Sequence, residues 1–156
     1  MTQIARATWA WIAAALYCFV LNANAAELPA GLQKSLKPFA IVSATIDDGV
    51  LKINIRKPVV KREDVYQFVV KMGVCYPLWI DAQKGWGSAS ITSIEVRNDI
   101  GAQGYSFQGG RKECGELGKS ANMDAEKKYI EAHTWVCVAG NPCRPRRPGE
   151  VTSGDL

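Results

Sequence analysis

Hydrophobic and polar residues alternate along this chain with two different rhythms, and the change of rhythm predicts its elements. Val42, Ala44 and Ile46 alternate with smaller or polar residues, and Leu51, Ile53 and Ile55 alternate with Lys52 and Asn54. A period of two belongs to strands with one apolar and one wet face. Between the two runs, Asp47-Asp48-Gly49 offers a glycine able to take positive φ at the end of a three-residue turn, so a hairpin is predicted. The rhythm then lengthens. Val65, Phe68, Val69, Met72, Tyr76 and Trp79 draw a stripe along one side of a helix that Pro77 ends or kinks. Glu63 and Asp64 stand in its first turn, where carboxylates suit the helix dipole. The stripe is read as the face packed on a sheet, with an aromatic ligand platform as the competing reading.

Period-two patterning returns at Ile94 and Val96 and again at Tyr105 and Phe107, with Asn98–Gly104 connecting the two runs. A short helix is expected around Cys114, a break at Gly118, and a second helix from about Asn122 to His133 with Asn122 as its cap. Thr134–Val138 fits a last strand, and Pro29–Pro38 allows one helical turn before the hairpin. The order β-β-α-β-β-α implies an α+β fold, a small antiparallel sheet with helices packed on one face. Residues 144–156 have no apolar periodicity and carry prolines at 145 and 148, which predicts a disordered basic Pro/Arg tail.

The amino-terminal region changes the picture of where the chain works. Arg6 precedes an uncharged run from Thr8 to Leu21, apolar except for Thr8, and Ala23 and Ala25 occupy the −3 and −1 positions of a small-residue cleavage site. This is the three-part pattern of a signal peptide covering residues 1–25, and the run is too short to span a bilayer. The expected product is periplasmic or secreted, with one domain from 26 to 143 and no membrane span. Losing Arg6 lowers the formal charge from +4 to +3, an excess too mild for a dedicated nucleic-acid binder.

Four of the 5 cysteines lie beyond the leader. An even number in an exported chain points to disulfides, and the preferred pairing is Cys75–Cys114 with Cys137–Cys143. Gly140, Asn141 and Pro142 let the chain double back across the shorter loop. The spacing does not match the C-x-x-C of redox catalysts. A zinc site from His133, Cys137, Cys143 and Cys114 is disfavoured by spacing and by an oxidising compartment, so no metal and no cofactor are expected.

Catalytic motifs are sparse. The chain has 1 histidine, no G-x-S-x-G, no H-E-x-x-H and no phosphate loop. Glu113 and Glu116 form a carboxylate pair that reads as a solvated edge, and Asp47 and Asp48 read as turn residues. The candidate binding residues are Trp86, held between two glycines, and Arg144, Arg146 and Arg147, whose forks suit phosphate and carboxylate. Together these features suggest a non-catalytic binding or accessory protein of the cell envelope. Its partner would be an envelope protein or an anionic surface. An exported hydrolase built on dispersed carboxylates, and a secreted inhibitor or effector presenting the stapled Val138–Pro142 loop, are the alternatives.

Overall fold

Asp48 and Gly49 shape the first hairpin. Both have positive φ, 47° and 77°, as a two-residue type I′ turn requires. Asp47 pairs directly with Val50, so the turn is one residue tighter than the three-residue reading. The structure, a computed structural model, describes residues 27–81 and 84–156. The expected leader therefore lies outside the described residues. The hairpin strands are β1 (Ile41–Asp47) and β2 (Val50–Ile55), preceded by α1 (Ala30–Leu36).

After β2 the chain crosses over through one helical run, residues 62–80. It begins with π-helical turns at Arg62–Tyr66 and Val69–Cys75 and finishes as α2 (Tyr76–Ile80). In the wide turns, Gln67 N–H reaches Arg62 O and Tyr76 N–H reaches Lys71 O, each five residues back. This crossover helix delivers β3 (Ser93–Arg97) beside β2 in the same direction, Leu51 opposite Ile94 and Ile53 opposite Val96. The expected all-antiparallel sheet is thus corrected to a mixed one. A helix that carries the chain back along the sheet makes the next strand parallel to the one before it. Next come β4 (Gln103–Phe107), α3 (Arg111–Leu117), α4 (Met123–Ala132) and β5 (Thr134–Val138). The order across the sheet is β1-β2-β3-β4-β5, with the remaining neighbours antiparallel.

One face of the sheet carries the core. Leu51, Ile53, Ile94, Val96, Tyr105 and Phe107 are buried there beneath Leu32 and Leu36 of α1, Val69 and Val74 of the crossover helix, Leu117 and Ile130. Lys52, Asn54, Glu95 and Arg97 occupy the alternate positions and stay partly exposed. Both expected disulfides form. Cys75–Cys114 ties the crossover helix to α3, and Cys137–Cys143 closes the loop after β5. Asn122 caps α4 by accepting the Ala125 N–H at 2.9 Å.

Residues 144–156 fold back on the domain, unlike the disordered tail expected from their composition. Arg144 exchanges backbone hydrogen bonds with Val136 at 2.9 and 2.8 Å, and a 3-10 turn at Ser153–Asp155 buries Gly154. Polar locks hold this segment where apolar periodicity is absent. The Arg144 fork grips Glu150 at 2.9 and 2.6 Å, and Glu150 also accepts the Arg147 N–H. Asp155 accepts the Thr152 N–H and hydroxyl, pairs with Arg146 and lies 3.3 Å from Arg62. The Tyr105 hydroxyl meets that of Thr152 at 2.7 Å.

Candidate functional site

Of the candidate binding residues, Trp86, Arg144 and Arg146 are built into the structure. Trp86 has 0% of its surface exposed, its indole N–H donates to Val74 O at 2.8 Å, and the Arg111 guanidinium lies 5.4 Å from the ring centroid. The flanking glycines fold the ring back over the core rather than presenting it to solvent. Arg144 and Arg146 hold the carboxylates of Glu150 and Asp155, so the first two forks of the basic run are engaged internally. Arg147 is exposed. No hydrogen bond, ion pair or ring contact joins Trp86 to these arginines among the described residues.

Electrostatics agree with a structural use of the tail. The Arg144 fork, then the Arg147 N–H, hold the Glu150 carboxyl down at about 2. Burial pushes the Asp155 carboxyl up. The Thr152 hydrogen bonds and the charges of Arg146 and Arg62 outweigh it, leaving the group below its ordinary value. Burial raises Tyr66 and Tyr105, whose rings lie 5.2 Å apart under this seal.

Other chemistry-bearing residues also have structural partners. Glu113 accepts the Gly110 N–H that starts α3, and Glu116 pairs with Lys119 at 3.0 Å, so the two carboxylates do not face a common centre. The His133 ring stacks on Tyr129 at 4.3 Å with Nδ1 against Tyr129 O at 2.8 Å. Glu95 lies beside the sulfurs of Cys137 and Cys143. Those sulfurs are spent in a disulfide and Glu95 pairs with Arg97 at 2.8 Å, which leaves no thiolate ligand set there.

A concave surface lies on the outer side of the crossover helix and takes in Phe68, Met72 and Tyr76 of the stripe, for which an aromatic ligand platform is the competing reading. One wall carries Phe68, Met72, Tyr76 and Ile80 at steps of four, and the other is α1 with Pro38 and Phe39 after it. The volume is about 500 Å³, within the usual range for small-molecule sites. Phe68, Tyr76 and Ile80 are 57%, 41% and 68% exposed. This is a cluster of large apolar side chains open to solvent, and such clusters mark interaction sites more often than scattered single residues do. A second hollow of about 340 Å³ continues past Pro38, Phe39 and Phe68 towards Ile55 and Val65.

Helix winding explains why the expected core stripe is split. The wide π-helical turns bring Tyr66, Val69, Val70 and Val74 onto the sheet and leave Phe68, Met72 and Tyr76 on the far side. Short π-helical insertions are frequent at functional sites. The second wall is fixed by close contacts. The Ser35 hydroxyl donates to Gly73 O at 2.5 Å, and a Cβ on residue 73 would meet Leu36 at 3.0 Å and Phe39 at 3.2 Å. Leu32 and Leu36 anchor α1 from beneath, so the groove is preformed.

Comparison of the chain with protein-family models, with curated proteins and with solved structures finds no match in any of the three. The class that fold and groove define is a disulfide-stapled α+β domain with a mixed five-stranded sheet and an open apolar trough.

Proposed function

We propose that the chain is an exported binding protein of the cell envelope, non-catalytic, which holds an apolar ligand in the groove between α1 and the crossover helix. One observation carries this reading. Four large apolar residues at successive turns of a single helix line a hollow that the described residues leave uncovered. Burying each such side chain would contribute roughly 1.5–3 kcal/mol if complete. The two disulfides and the leader pattern support export. No helix among the described residues is long and apolar enough to cross a membrane.

The test is a fluorescence titration of the oxidised protein with Nile red, an uncharged apolar dye, beside Phe68→Asp and Ile80→Asp variants. Both positions are exposed, so the variants should fold as the parent does. The expected outcome is saturable enhancement in the parent and a loss of at least tenfold in affinity in each variant. Equal binding by all three would remove the groove from the account.

A further inference from the structure

We propose that the groove takes a free single-chain carboxylate amphiphile, a fatty acid, with its chain along the Phe68–Ile80 wall and its carboxylate between Lys34 and Lys84. The inference deepens the binding reading above and rests on it.

The groove combines positive charge with apolar walls. A Cβ on Gly31 would come within 2.3 Å of Gly85 O and 2.7 Å of Lys84 O, which places the 84–85 segment against the start of α1. Lys84 therefore stands near the start of α1, and Lys34, one turn further along in the last turn of α1, lines the same groove. Lys34 is exposed and enters no ion pair among the described residues. Lys84 lies 3.6 Å from Asp81 with its side chain 89% exposed. Along the groove, two ammonium groups against the one lining carboxylate, Asp81, leave an excess positive charge. The rings of Phe39 and Phe68 face one another at 5.4 Å, flanked by Pro38. Positive charge beside apolar walls is the complement of an amphiphile carrying an anionic head.

Size and hydrogen bonding narrow the occupant further. The wall from Phe68 to Ile80 spans twelve residues, roughly 18 Å at an α-helical rise and somewhat less where the helix is wider. An extended peptide would bring unpaired backbone groups to walls whose own backbone is engaged in helix hydrogen bonds. An alkyl chain needs no such partners.

The experiment is calorimetric titration of the oxidised protein with dodecanoate, dodecanol and dodecyltrimethylammonium. It is repeated with Lys34→Glu/Lys84→Glu and with Phe68→Asp, after circular dichroism shows that each variant is folded. Dodecanoate is expected to bind about fivefold more tightly than dodecanol, since exposed charges contribute modestly. The double charge reversal is expected to weaken dodecanoate about tenfold and to favour the cationic probe, and Phe68→Asp to weaken all three. Equal binding of dodecanoate and dodecanol would overturn the carboxylate assignment while leaving the groove as an apolar site. Indifference of every probe to Phe68→Asp would overturn the groove reading itself. Three other results would also overturn the proposal: binding to phosphatidylglycerol vesicles without binding of free dodecanoate, binding of an acidic amphipathic peptide alone, or a dimer that dodecanoate does not dissociate.

Discussion

The two sides of the crossover helix carry similar residues and meet opposite fates. Tyr66, Val69, Val70 and Val74 are buried against the sheet, while Phe68, Met72, Tyr76 and Ile80 stand over an open groove. Hydrophobicity alone does not separate the sets. The inner side is closed by neighbours on every flank, including a carboxy-terminal segment whose ion pairs and hydrogen bonds seal the Tyr66–Tyr105 pair. Among the described residues, the groove on the outer side is walled by the short α1, Pro38, Phe39 and the 84–85 segment, and these leave room for something else. The contrast makes the exposed apolar side chains, rather than the buried tryptophan, the candidate binding surface. The conspicuous Trp86, Arg144 and Arg146 are already used in holding the fold, while the Arg147 side chain is exposed.

Substitutions on the two sides should break this contrast most sharply. Trp86→Ala removes a fully buried indole and leaves Val74 O without its donor, an expected loss of about 4–5 kcal/mol in urea unfolding. Phe68→Ser, more than half exposed, should change stability by about 0.5 kcal/mol or less while weakening apolar-probe binding. Comparable destabilisation by the two changes would contradict the division into a closed and an open side.

Opening Cys75–Cys114 should have the next largest effect. The bond closes a sequence separation of 39 residues, for which loop-closure entropy gives about 4 kcal/mol. Unfolding of Cys75→Ser/Cys114→Ser by urea would check it. A loss under 1 kcal/mol would mean that the outer wall does not depend on being tied to α3.

Acid should act on the closed side and by less. Glu150 sits at about 2 when folded against an unfolded carboxylate near 4.3, so its contribution is fully present above the unfolded value and is lost as pH falls towards 2. Asp155 is shifted in the same direction. The amide resonance of Arg147, which donates to Glu150, is expected to titrate at about 2, and that of Thr152, which donates to Asp155, below the ordinary aspartate range. Titration of the Arg147 amide at about 4.3 would place the Glu150 carboxylate in open solvent.

Much of this arrangement could be read from local pattern, and the misses have physical causes. The hairpin, both disulfide pairings and the Asn122 cap each depend on residues close in sequence or on an even cysteine count. The parallel β2–β3 pairing depends on where a long crossover ends, which residue alternation does not encode. A spacing of three to four places Phe68, Met72 and Tyr76 on the core side only for α-helical winding. The π-helical turns rotate them outward. For the tail, a composition test for disorder overlooked specific pairings. Thr152 and Asp155 stand in capping-box spacing, and Glu150 lies six residues from the fork it completes.

The central claim, that the outer groove is the ligand site and the basic segment is not, is tested most directly by NMR. The oxidised, isotope-labelled protein would be titrated with octyl glucoside below its micellar concentration, a neutral amphiphile that leaves the question of the head group aside. The account predicts amide shifts concentrated in residues 31–39 and 68–85, with Arg144, Arg146 and Arg147 and the polar strand positions around Glu95 and Arg97 unmoved. Shifts centred on the arginines or on that polar sheet face, with the Phe68–Ile80 wall silent, would contradict it.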